Sequence, residues 1–453
     1  MAPPPAPWAE GLAIDLLLLI IAGLCCQADR ASFASVCQRW REAAKLAKPV
    51  RSQIPWLLLP SPSSTPSIFS FFSGLRRRIR SLPADFRRER LCGSHPGGWV
   101  AVALGPFGGH LLANIFSGAR VGLPHRLMQL PSPILRVTPV LIRAVMLSAA
   151  PTAAHCVAGA LVCGASNVAF CCPGDSHWFA YPEIDGLQDM VYYAGEEEEK
   201  RGFYVLEGLG DVQVLSFDII QVKSPPTVMK YVVRAKSIKY VMPEQAPDTM
   251  LSSLPASTCR TGYLVVSRAK LLKVLRYYSR DGQTGARRTL LFRVFEMQIS
   301  SDHRASWMEL DNLDGRVLFV GRGCSRAFEA SQLHGFNGGS IYYLDDAEFD
   351  VMPCLQNEAE YPSSDMGMYS MRGSTTVRPS LDAPSANMRP ATYGAKTYLT
   401  RFVNGDNGNQ QSSVVEMTED EARRSTGGEI IGTRWSILSE PQSKFSPPIW
   451  FCP

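Results

Sequence analysis

Several groups of residues have side chains that could do chemistry, and their spacing limits what each can do. Gly174-Asp175-Ser176-His177 sets a hydroxyl between a carboxylate and an imidazole. A hydrolytic triad is assembled in space from distant segments, so sequence neighbours rarely form one. Gly321-Arg322-Gly323-Cys324-Ser325-Arg326 has the look of a phosphate-cradling loop. It lacks a third glycine in the right place and a following helix, so a turn between strands is expected. His155, Cys156, Cys163, Cys171, Cys172 and His177 offer zinc-ligand types. Without paired C-x-x-C knuckles they read as small apolar thiols on strands. Asp345-Asp346 could hold a cation, but an acidic pair after a strand more often marks a turn. Glu196 to Glu199, followed by Lys200-Arg201, reads as a solvated hairpin tip. Neither a nucleophile elbow nor a metalloprotease motif occurs. The expectation is a protein with no catalytic residue, no cofactor and no metal.

The elements that would position such residues belong to a globular chain. Hydrophobic residues make up 45% of the 453 and charged residues 19%, which allows a sizeable core and more than one unit. A formal net charge of +5 is too small for a protein that neutralises many phosphates, so no nucleic-acid partner is expected. The one dense basic cluster (Arg76-Arg77-Arg78, Arg80, Arg87, Arg88 and Arg90) reads as a solvated connection. The twelve cysteines form no framework, which suits a reducing compartment.

The first fifty residues carry a different signal. Pro3 to Pro7 should be extended. Leu12, Leu16, Leu19, Ile20 and Gly23 then recur at helical spacing, with Leu17, Ile21 and Leu24 alongside. A helix so apolar all round must be covered on more than one side. Asp15 suits its first turn and Gly23 its end. Asp29 is placed to cap a second short helix, and Gln38 to Lys48 reads as a third, ended by Pro49. The uncharged stretch from Leu16 to Ala28 is too short to span a bilayer. It is preceded by no Lys or Arg, unlike a signal peptide. No membrane association is expected, and the protein is read as intracellular, in the nucleus, the cytoplasm or both. The surplus apolar surface on forty residues implies a partner.

The pattern Leu12, Asp15-Leu16-Leu17, Ile20, Leu24, Asp29, Phe33, Val36-Cys37, Trp40-Arg41 resembles an F-box. The resemblance implies docking on a Skp-type adaptor, and through it on a cullin–RING ubiquitin ligase. The adaptor-binding positions it implies are Leu12, Leu16, Leu17, Ile20, Leu24, Val36, Cys37 and Trp40. F-boxes usually open with Leu-Pro; here Leu12 is followed by Ala13. Proline there fixes the direction in which the chain meets the first helix.

From Ile54 onward the sequence changes to short β-branched and aromatic runs separated by Gly, Pro and Asp. Examples are Gly98–Ala103, His110–Asn114, Asp189–Tyr193, Tyr263–Ser267, Leu291–Phe295, Val317–Val320 and Ser340–Leu344. So many short strands in pairs fit a β-propeller better than a sandwich, although internal similarity is poor. The phrases Gly93-Ser94-His95, Asn114-Ile115-Phe116-Ser117-Gly118, Gly174-Asp175-Ser176-His177-Trp178, Gly262 to Ser267, Trp307-Met308-Glu309-Leu310, Gly339 to Asp346 and Pro448-Ile449-Trp450-Phe451 resemble, in that order, the plant β-propeller domain of the KIB type found downstream of F-boxes.

The fold expected is mainly β: a small N-terminal three-helix F-box followed by a β-propeller-like domain of open blade number. The divisions are a flexible Pro-rich start at 1–9, the F-box at 10–50, a connecting segment at 51–92, a propeller body at 93–371, a polar flexible insertion at 372–444 and a closing strand at 445–453. The expected function is that of a non-catalytic substrate receptor in a ubiquitin ligase, with an unknown target protein on the propeller. The alternatives are a propeller scaffold with a degenerate F-box and a hydrolase using the propeller channel.

Overall fold

The computed structural model describes residues 11–47 apart from 25–26, most of 55–346, and then 365–371, 375–377, 388–393, 396–404, 410–417 and 449–451. Several of its strands are short and apolar on both faces. Trp56–Leu59, Trp99–Ala103 and Val168–Cys171 are buried at every position. A strand of this kind has no side for water, so each sheet must be covered on both faces. Radial stacking of small sheets meets that demand.

Six sheets form the blades. The second holds Arg90–His95, Trp99–Ala103, His110–Asn114 and Arg120–Leu123. The third runs from Ile142–Leu147 through Ala158–Val162 and Val168–Cys171 to Trp178–Ala180, where the hairpin Arg126–Gln129/Arg136–Pro139 adds on in parallel. Trp178 fastens that addition by donating its indole N–H to the Pro124 carbonyl at 2.7 Å. The fourth blade holds Asp189–Tyr193, Gly202–Leu206, Val212–Gln221 and Met229–Ile238. The fifth holds Thr258–Ser267, Lys270–Arg280, Arg287–Ile299 and Ala305–Glu309. The sixth is irregular: Arg326–Glu329 lies at one edge, beside Arg316–Val320, and Ser340–Tyr343 returns parallel to the latter. Gly367–Ser370 and Thr375–Val377 complete it.

The first blade joins the two ends of the body. Ile449–Phe451 pairs antiparallel with Trp56–Leu59, which in turn pairs with Ser67–Ser70 and then Arg76–Arg78. The segment 51–92, expected to be a connection, therefore supplies three strands of a blade. Arg76–Arg78, read as part of a solvated basic run, form its outer strand. The closing strand itself was expected within 445–453.

Apolar clusters lie between neighbouring blades. One joins the first, second and sixth; others join the second with the third, the third with the fourth, and the fourth with the fifth and sixth. Trp450 binds three blades at once. Its indole N–H donates to the Val320 carbonyl at 2.9 Å, its ring meets Phe319 edge-on at 5.0 Å, and its carbonyl accepts the Ser94 hydroxyl. Arg276 does the same for the fifth and sixth blades. Its guanidinium donates to Thr289 (2.8 Å), Tyr263 (3.3 Å), the Leu344 carbonyl (2.6 Å), and both the carbonyl and the carboxylate of Asp365 (2.9 and 2.8 Å). The fork of donors is satisfied with no exposure to water.

Among the described residues, three helices precede the blades: α1 (Ile14–Ala22), α2 (Gln27–Ser35) and α3 (Gln38–Leu46). Asp29, expected at the cap of α2, lies two residues inside it. Next to it, Arg30 ties α2 to the end of α1 by donating to the carbonyls of Ile21 (3.1 Å) and Leu24 (2.9 Å). Within 372–444, expected to be a flexible insertion, Met388–Tyr393, Lys396–Asn404 and Gln410–Met417 pair as an antiparallel sheet. Tyr398, Leu399, Phe402, Val403, Val414 and Val415 supply the β-forming residues. The acidic run Glu196–Glu199 lies outside the described residues, between two strands that pair.

Ring closure yields the first prediction. Trp450→Ala removes a fully buried ring and its hydrogen bond, and should cost about 3–5 kcal/mol of propeller stability in urea unfolding. A loss near 1 kcal/mol would show that the closing strand is dispensable.

Candidate functional site

The helical unit has its own small core. Leu17 and Ile21 of α1 pack against Phe33 of α2 and Ala43 of α3, all four buried. Leu12, Leu24 and Trp40 are half-buried against this core, and Trp40 stacks obliquely on Phe33 at 4.4 Å. Cys37 is half-buried in the extended residue that starts α3. Of the eight positions implied by the F-box resemblance, Leu16, Ile20 and Val36 are exposed, and Leu17 is not accessible at all. Leu17 can act only by holding the helices together. Leu19 and Leu46 were not among the eight, yet they are the most exposed large apolar residues of the unit, at 70% and 66%. Helical spacing already put Leu19 on this stripe, three residues after Leu16; the F-box resemblance did not assign it.

Leu16, Leu19 and Ile20 therefore form an unpaired apolar stripe on the outer face of α1. Ala13, where F-boxes have proline, caps this helix with φ −61° and ψ 148°. That φ is the value a proline ring would impose. The chain thus meets α1 in a proline-compatible conformation without the proline.

The second candidate is the propeller channel. The leading strands of neighbouring blades run side by side around it, from Ile449–Phe451 through Arg90–His95, Ile142–Leu147, Asp189–Tyr193 and Thr258–Ser267 to Arg326–Glu329. Gly93 and Gly323 let the wall close up. At Gly93, with φ +141°, a Cβ would lie 2.7 Å from the Val145 carbonyl. A cavity of about 250 Å³ opens here, bounded by Leu264, Met190 and Val266 on its apolar side. Polar residues also line it. Asp189 is buried, and one carboxylate oxygen accepts the Leu264 N–H at 2.9 Å. Burial pushes its carboxyl up to about 7, against the pull of that N–H and of Arg322. His95 is pushed down to about 3 by burial and by the charge of Arg326, so the imidazole is neutral. Burial raises the Cys324 thiol.

These states bear on the hydrolase alternative. The channel does hold an acid and an imidazole, as that alternative requires. A thiol held up and an imidazole held down are, however, the reverse of a thiolate–imidazolium pair.

The remaining sequence candidates take structural parts. Gly321–Ser325 is a turn, closed by the Cys324 N–H on the Gly321 carbonyl at 3.0 Å, as expected. Asp345 and Asp346 are buried rather than turned to solvent. Asp346 accepts Tyr263 O–H (2.7 Å) and Arg322 N–H (2.6 Å), and Asp345 pairs with Arg287 at 3.2 Å. Ser176 lies 2.8 Å from the His177 ring, while Asp175 accepts the Cys172 N–H instead, so the three do not converge as a triad. Cys156 and Cys171 are buried thiols. Among the described residues no three His, Cys, Asp or Glu gather as metal ligands, and no helix is long and apolar enough to cross a membrane.

Ala13→Pro should stabilise the helical unit by about 0.4–1 kcal/mol, because it restricts only the unfolded chain; a loss of stability would show that Ala13 does not hold the φ described. For Asp189, a raised folded pKa means stability that is complete below the ordinary carboxylate range and lost as pH rises toward about 7. Asp189→Asn abolishes that loss. Relative to the variant, the native protein should lose up to about 4 kcal/mol between roughly pH 4 and 7, read from urea unfolding across pH. His95 and His110, which act in the opposite sense, are common to both proteins and cancel. Parallel stability–pH curves would contradict this.

The family model described as the KIB1-4 beta-propeller matches residues 69–370, about two thirds of the chain. No curated protein matches the sequence. The matched span starts in the second strand of the first blade and ends with Gly367–Ser370 of the sixth. With six blades closed by a C-terminal strand, the chain belongs to the KIB1-4 β-propeller family.

Proposed function

We propose that this protein is a substrate receptor of a cullin–RING ubiquitin ligase, acting in the nucleus, the cytoplasm or both. In this reading the three-helix unit docks on a Skp-type adaptor and the propeller holds a target protein. One observation carries it: α1 has more apolar surface than its own core uses. Leu17 and Ile21 close the core, and Leu16, Leu19 and Ile20 remain outside it. A soluble protein has little reason to keep such a stripe unless a partner covers it. The proline-compatible backbone at Ala13 favours this reading over a decayed F-box.

The mechanism is proximity. The receptor raises the concentration of its target near a ubiquitin-loaded enzyme held elsewhere in the assembly, so it needs no reacting group of its own. The propeller contributes rigidity. Loops between strands are carried on interlocked blades, and specificity resides in the loops.

The test uses residues outside the helical core. Leu19→Asp and Ile20→Asp should each weaken binding of a Skp-type adaptor by about tenfold to a hundredfold while leaving the melting temperature of the full chain unchanged. Leu17→Asp would unfold the unit and so cannot discriminate. Failure of the intact chain to bind any Skp-type adaptor, or undiminished binding by both variants, would refute the proposal.

A further inference from the structure

The fourth blade carries a strand pair longer than the sheet it belongs to. Gly202–Leu206 pairs with Val212–Gln221 only from Val212 to Leu215. Beyond Leu215, residues 216–221 pair with 229–234 alone, as a two-stranded ribbon. Met229–Ile238 is the outermost strand of this sheet, and among the described residues no strand pairs with its other edge. A two-stranded ribbon is marginal in water by itself, and a long open edge is a template for another strand.

Register sorts the ribbon into two unlike faces. Phe217 stands opposite Val233 and Ile219 opposite Tyr231, so these four share one face with Met229 and Ala235. The other face of Met229–Ile238 takes Lys230, Arg234 and Lys236. The residues opposite these three are Ile220, Ser216 and Val214, none of them acidic. Asp218 stands opposite Val232, diagonal to Lys230 and Arg234, and is the one carboxylate among three cations on this face of the pair. The open edge thus alternates cationic and apolar positions. A second copy of the chain is a poor occupant. Antiparallel pairing of this strand with itself sets its cationic positions against one another, or sets them against its apolar face.

We infer that the outer edge of Met229–Ile238 is a docking edge for an extended segment of a partner protein in which acidic and apolar residues alternate. The segment adds a strand to the fourth blade, and its ladder hydrogen bonds supply affinity. Its carboxylates share a face with Lys230, Arg234 and Lys236, and its apolar residues widen the face that holds Tyr231 and Val233. That the segment belongs to a ligase target rests on the receptor reading. The edge itself does not, and it is tested without an adaptor, so either can fail alone.

The test is fluorescence anisotropy of the full-length protein at low salt with labelled nonapeptides. One alternates glutamate and valine, one alternates lysine and valine, and the last is the glutamate peptide with its central residues replaced by proline. The glutamate peptide should bind saturably, about tenfold more tightly than the lysine peptide. The proline version, which cannot complete a ladder, should lose about as much. Reversing the edge with Lys230→Glu, Arg234→Glu and Lys236→Glu together should exchange the preference, weakening the glutamate peptide by about tenfold and strengthening the lysine peptide by a similar factor. An unfolded variant would bind neither, so the exchange separates charge from folding, and the comparison of the three peptides on the native chain stands whatever the variant does. No binding of the glutamate peptide, equal binding of the lysine or the proline peptide, or an unchanged preference in a folded variant would overturn the proposal. So would a dimer in sedimentation that the glutamate peptide does not dissociate, which would give the edge to a second copy.

Discussion

A propeller is a ring, and every blade depends on the ring being shut. Here the shutter is three residues long. Ile449–Phe451 lies against Trp56–Leu59, so the last described strand and the first belong to one sheet. Trp450 reaches past that sheet to the second and sixth blades through Ser94 and Val320. Without this closure the first blade would lose its innermost strand, and the cluster that includes Trp56, Phe319 and Tyr342 would open to water. The short edges of the blades are protected only while the circle is complete.

Closure has a second consequence, which is a low-dielectric wall around the channel. Charged groups near it survive by pairing across blades. Arg276 spans the fifth and sixth blades with all its donors used, and Asp346 takes one bond from Tyr263 and another from Arg322. Such networks are fixed by geometry and leave little slack. Asp189 and His95 differ because each keeps one acceptor outside the network. The polarity at the channel is thus of two kinds: one holds blades together, and the other is walled in with one acceptor unmatched.

Much of this was legible in the sequence. His110–Asn114 and Asp189–Tyr193 were expected with the limits observed, because β-branched and aromatic runs between turns have few other uses. Arg90–His95 was not legible as a whole. Its arginine, serine and histidine look solvent-facing, yet they are buried because their partners are the Ile142 and Trp450 carbonyls and the Val145 backbone in other blades. The burial of Asp345-Asp346 was illegible for the same reason, since Tyr263 and Arg287 lie some 60 to 80 residues away. In the helices, the leucines of α1 announced a helix without saying which face is inside. That choice rests on Phe33 and Ala43, and it separates Leu17 from Leu16. Spacing finds a stripe; only the partner helices say which stripe is left over.

In the proposed function, the outer stripe of α1 is a docking surface distinct from the propeller. Hydrogen–deuterium exchange of the full chain, with and without a Skp-type adaptor, tests it most directly. Docking there should slow exchange in Ile14–Ala22 and the junction around Val36 and leave the inner strands of the blades unchanged. Protection confined to the propeller, or none in the helices at saturating adaptor, would contradict it.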